Sequence, residues 1–153
     1  MKEKANSKEN TIENFLNSLD YSLALLERFG AFIISIGYLG YVYASNIDIL
    51  DIKGINYTRQ IPEAILLNAQ KIITIGYIFL YFVAKERAKE KDTRFTNNNQ
   101  NISALPYEKV ATSYLISVIG HFLRLEAFAE IYSIVINQRN NSSEDTEDSE
   151  DDD

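Results

Sequence analysis

The residues best placed for chemistry in this 153-residue chain fall in one largely apolar stretch, 110–131. At 100° per residue of helix, Ser113, Ser117, His121 and Arg124 share one stripe. Glu126, Glu130, Ser133 and Asn137 share another on roughly the opposite side. With Lys71 from an earlier apolar stretch, Lys71, His121, Arg124 and Glu126 would form a polar cluster inside a membrane. Such a cluster could support a hydrated path or a proton relay, with His121 as the titrating group. Interhelical hydrogen bonding is the plainer role, because the one His has no acid on its own face.

Glu126 and Glu130 repeat the i, i+4 carboxylate spacing of metal-binding bundles. A di-metal centre also needs carboxylates and histidines from facing helices, and the preceding helix supplies only Glu63, so no metal is expected. No GxGxxG, Walker, HExxH or GxSxG pattern occurs. We therefore assign no catalytic residues and no cofactor, and expect no enzyme. With no Cys, the chain cannot build a disulfide framework or use a thiolate nucleophile.

The formal charge is −7, from 15 Lys+Arg and 22 Asp+Glu. Eight of those acids and no base lie in Ser142 to Asp153. The rest of the chain holds 15 bases against 14 acids, so its body is close to neutral. The acidity belongs to the tail, and an acidic DNA-mimicking body is excluded. Nucleic acid is not an expected partner, since no large basic patch carries stacking aromatics.

The elements that must carry these residues read as helices. Residues 1–9 look like a disordered tail, and Asn10 with Glu13 resembles a capping box. Ile12, Phe15, Leu16, Leu19, Leu23 and Leu26 then recur at helical spacing. From Phe29 to Ile47 there are 19 residues without a charge. Asp48 to Gln60 reads as a loop, and Pro62 opens a second helix that includes Ala64 to Ala84. The KERAKEKDTR segment after it reads as a solvated helix end. A polar connection, Phe95 to Ala104, leads to a third helix from Leu105 to about Gln138. A disordered acidic tail is expected over 139–153.

The fold expected is all-α, with three long helices over 10–138 forming a three-span transmembrane bundle. About 20 apolar residues cross the ~30 Å hydrocarbon layer, which the first stretch manages alone. The second includes Lys71 and the third several charges, each costing ~2.5–3.5 kcal/mol at mid-bilayer. Lys71 and Glu126 should lie at similar depth and could pair. Gly37, Gly40 and Gly76 are the residues expected to let helices pack closely. Two of these lie in a repeated segment, IISIGYL (33–39) and IITIGYI (72–78), 39 residues apart.

Basic residues set the expected orientation. Lys85, Arg87, Lys89, Lys91, Arg94 and Lys109 flank the second connection, against Lys53 and Arg59 in the first. This puts the N-terminus in the cytoplasm and the acidic tail on the opposite side of a membrane, most simply the plasma membrane. The partners expected are the lipid bilayer and other membrane proteins, or further copies of the chain. The functional expectation is a non-catalytic accessory or immunity-type membrane protein. An oligomeric channel, transporter or pore-forming protein is the alternative, and a soluble helical interaction domain a third.

Overall fold

The computed structural model describes residues 2–98 and 103–147. Three helices account for nearly all of them: α1 (Lys2–Ile52), α2 (Pro62–Asn98) and α3 (Leu105–Glu147). No strand occurs among the described residues. The β-branched stretches are helical because their apolar side chains follow no two-residue alternation that a sheet face could use.

The helix ends depart from expectation. α1 is already helical at Lys2, so Asn10 lies within it and does not cap its start. It continues to Ile52, which shortens the expected first loop. Gly54 (φ 67°) and Arg59 (φ 54°) then make the reversal in left-handed conformations, the second of which is costly for a residue with a Cβ. Asn56 holds this turn together: its Nδ2 donates to Asp51 Oδ1 (2.7 Å), and its Oδ1 accepts from the Thr58 hydroxyl (2.6 Å). α2 begins at Pro62, and α3 begins one residue before Pro106. The latter runs to Glu147, into the tail expected to be disordered from 139; residues 148–153 lie outside the described part.

Packing divides the helices into two compact units. Unit 1 comprises 1–34 and 75–119, and unit 2 comprises 35–74 and 120–153. In each, α1 and α2 meet antiparallel through small residues. In unit 1, a Cβ on Gly76 would sit 2.5 Å from Ile34 Cγ1 and 3.2 Å from the Gly30 carbonyl oxygen. In unit 2, a Cβ on Gly37 would collide with Ile73 Cγ1 and lie 3.0 Å from the Ala69 carbonyl oxygen. The two contacts use the same atoms, and Gly30, Ile34 and Gly37 precede Ala69, Ile73 and Gly76 by 39 residues each. The repeat is thus two like surfaces, each offering a glycine groove and an isoleucine to fill one. Gly40 packs on Ala69 in the same way, with 2.8 Å to its Cβ.

Charged residues pack inside unit 1. Arg87 reaches Asp20 (2.8 Å) and Glu27 (2.9 Å) on α1, and Arg94 Nη2 donates to Asn17 Oδ1 (3.0 Å). The Glu90 side chain is fully buried, paired with Arg94 and with Lys91 (3.0 Å). The KERAKEKDTR segment is therefore solvated on one face only: Lys85, Glu86, Lys89, Asp92 and Thr93 are exposed, while the other face packs. Its alternating signs place bases against α1 acids while Ala88 and Glu90 enter the core.

The glycine contacts give a signed prediction. Gly37→Ala should destabilise the protein by about 1–3 kcal/mol, the usual cost of overpacking. Gly120 has nothing within 4 Å of an added Cβ. Gly120→Ala should instead stabilise it by roughly 0.5–1 kcal/mol through helix propensity. Denaturant unfolding of the two variants, followed by helical circular dichroism, checks both signs.

Candidate functional site

The site with the most polar chemistry in a buried setting lies in unit 2 and centres on Gln70. This side chain is fully buried, as Thr74 and His121 nearly are. Gln70 Oε1 accepts a short hydrogen bond from the Tyr41 hydroxyl of α1. Its Nε2 lies 3.0 Å from His121 Nδ1, 3.0 Å from the His121 carbonyl oxygen and 3.2 Å from Thr74 Oγ1. Two amide hydrogens therefore face three acceptors. Acceptance by a neutral Nδ1 is the consistent assignment and leaves the ring proton on Nε2. Thr74 Oγ1 donates to the Gln70 carbonyl oxygen (2.8 Å). Tyr41 also meets the Phe128 ring edge-on at 6.0 Å, which fixes the phenol between α1 and α3.

Each helix contributes for a local reason. Gln70 and Thr74 are one turn apart on the inward face of α2, beside Ala69 and Ile73. The small Ala69 lets α1 approach closely enough for the Tyr41 hydroxyl to reach the amide. A buried amide that kept unpaired donors would cost about 1–3 kcal/mol, so all three helices are held at the heights that satisfy it.

The sequence-derived cluster is only partly assembled. His121 is in the network, while Lys71, Arg124 and Glu126 are exposed. Lys71 Nζ donates to Asn68 Oδ1 at 3.4 Å. No ion pair joins Lys71 to Glu126 among the described residues. The register explains this: Gln70 is level with His121, so Lys71 is level with Gly120. Glu126 is six residues farther along α3, about 9 Å. Lys71 is also exposed, 100° around α2 from the buried Gln70. Ser113 and Ser117 donate to carbonyls of their own helix, those of Val110 and Ser113.

Gln70 and Thr74 escaped the sequence reading. Both sat in an apolar run where one amide looks like dilution, and the partners are 29 and 51 residues away. The available signal was the i, i+4 spacing of two hydrogen-bonding side chains within an otherwise apolar helix. In unit 1, an open apolar groove of about 160 Å³ is lined by Leu23, Leu26, Phe79, Phe82, Val83 and Glu86.

The chain matches no protein-family model, no curated protein and no solved structure. Its geometry is what the functional reading rests on.

Tyr41→Phe should cost about 1 kcal/mol, and Gln70→Leu about 1–3 kcal/mol because the buried network then loses the amide at its centre. The double variant should be less unstable than the sum, since both remove the same bond. Strict additivity in denaturant unfolding would mean that the Tyr41–Gln70 bond contributes nothing. For the buried carboxylate, Arg94→Met alone should destabilise more than Arg94→Met with Glu90→Leu, because the single change leaves a fully buried charge with Lys91 alone to neutralise it. The same unfolding assay ranks the two.

Proposed function

We propose that this chain is a small integral membrane protein without catalytic activity, acting through contacts with other membrane components. The observation that carries the reading is what α1 and α2 leave uncovered. Both contain stretches long and apolar enough to cross a membrane, yet only 17% and 33% of those stretches are buried. A core helix of a soluble bundle would be mostly buried. Here Phe29, Phe32, Leu39, Val42, Ile75 and Phe82 are all exposed, large apolar side chains of the kind that mark a membrane or partner surface. Lipid is the solvent that suits such faces.

In this reading α3 is the third span, carried by its two neighbours despite its charges. α1 has 51 residues, roughly 76 Å of helix against ~30 Å of hydrocarbon. Its charged N-terminal part therefore stands outside the bilayer. The basic residues around the second connection favour a cytoplasmic location for that end. Ion pairing of Arg87, Lys91 and Arg94 does not weaken the argument, because topology follows Lys and Arg numbers and acids count for little. The acidic tail then lies on the opposite side.

A second reading, an oligomeric channel or transporter subunit, is favoured by one observation. Lys71, Arg124 and Glu126 face outward on membrane-length segments, where only assembly would enclose them in a polar path.

The protein should stay in the membrane pellet after carbonate extraction, and release into the supernatant would refute the membrane reading. With no native Cys, Asp145→Cys reports orientation directly. An impermeant thiol reagent should label it from outside intact cells, and labelling only after lysis would reverse the topology. Collapse of the membrane potential on expression, abolished by Glu126→Gln, would select the channel reading over the accessory one.

A further inference from the structure

We infer that the open groove of unit 1 binds one anionic phospholipid, with a segment of acyl chain between α1 and α2 and the headgroup on Lys85 and Lys89. This rests on the membrane reading above and names one lipid class and its place. The groove holds about 160 Å³ and is walled by Leu23 and Leu26 of α1 and by Phe79, Phe82 and Val83 of α2. Its one charged lining residue, Glu86, lies one turn beyond Phe82. At the opposite end Phe79 meets Phe29 edge-on at 5.7 Å, an aromatic bridge from α2 to α1.

The height of the groove selects a phospholipid. Gly30 faces Leu80, and Glu27 reaches Arg87, so these segments of α1 and α2 lie level with each other. The apolar stretch of α2 ends at Ala84 and charge begins at Lys85, while the uncharged run of α1 begins at Phe29. Phe79 to Glu86, about 10 Å of helix, therefore straddles the boundary between hydrocarbon and headgroups. Leu26 and Phe82 are 41% and 58% exposed there, so the walls stay apolar up to the charged rim. A phospholipid is apolar and then charged in the same order over the same distance.

The rim sets the sign of the headgroup. Phe82, Lys85, Glu86 and Lys89 are neighbours at three- and four-residue spacing on one exposed face of α2. Lys89 Nζ takes the Glu86 carboxylate at 2.6 Å. Lys85 has no ion-pair partner among the described residues. The rim thus nets one positive charge, which an anionic headgroup complements and a zwitterionic one does not. Both lysine stems are long enough to lie along the apolar wall while their ammonium groups stay in the headgroup layer.

The chain has no Trp, so Phe82→Trp in the full-length protein places a single indole on the groove wall. In phosphatidylcholine vesicles, a minor fraction of phosphatidylglycerol brominated near the headgroup end of its chains should quench this indole severalfold more than an equal fraction of brominated phosphatidylcholine. Leu39→Trp, exposed elsewhere on α1, should be quenched equally by the two. Adding Lys85→Gln and Lys89→Gln to Phe82→Trp should abolish the preference and keep the phosphatidylcholine quenching, which also shows that the variant remains folded. Equal quenching of Phe82→Trp by the two lipids, the same preference at Leu39→Trp, or a preference that survives loss of both lysines would overturn the proposal. An indole that neither lipid quenches, in protein that resists carbonate extraction, would also overturn it, assigning the groove to a protein partner while leaving the membrane reading intact. Release by carbonate would instead remove both.

Discussion

Gln70 has an amide oxygen and two amide hydrogens, and none of them reaches solvent. Much of the arrangement of unit 2 follows from that. The oxygen requires Tyr41 from α1, and the hydrogens require Thr74 and His121 from α2 and α3. Apolar helices slide past one another at little cost, since one Ile resembles the next. An amide with three specific partners does not allow sliding. Register along the helices is thus fixed by a polar group, while the strength of association comes from close packing.

Close packing has its own device. Gly37 and Gly76 each admit an isoleucine and a backbone carbonyl of the opposing helix to distances that no Cβ would permit. The helices approach because the side chain at that point has been removed. Gly30 and Ala69 complete the same pattern on the facing helix. A short repeated sequence therefore acts twice, once as groove and once as ridge. Unit 1 adds a different solution, in which a buried Glu90 is neutralised mainly by residues of its own helix.

The three helices were legible because their signals are local. The uncharged run 29–47, Pro62 and Pro106 each report on a single element. The ends were less legible, since α1 begins before its capping pattern and α3 extends into acidic sequence. What escaped was relational. The KERAKEKDTR segment has the alternating charge of a solvated surface, and only Asp20 and Glu27, some sixty residues earlier, give one of its faces something to pack against. Likewise His121 was visible as a polar residue in an apolar helix, but its partner Gln70 was not. Lys71 and Glu126 looked paired because depth was counted from assumed helix ends. The register set by Gln70 and His121 separates them.

One small feature, the bond between Gln70 and Thr74 within a single turn of α2, bears on how such a chain is made. A helix that enters a bilayer ahead of its neighbours must carry its polar side chains through lipid before their final partners arrive. Thr74 gives one amide hydrogen somewhere to go from the outset, and its own hydroxyl donates back to the Gln70 carbonyl. The remaining hydrogen and the oxygen stay unspent until α1 and α3 come alongside. In the membrane reading proposed above, the residue that fixes the register would travel partly satisfied, and what it still lacks would be met by the other two helices.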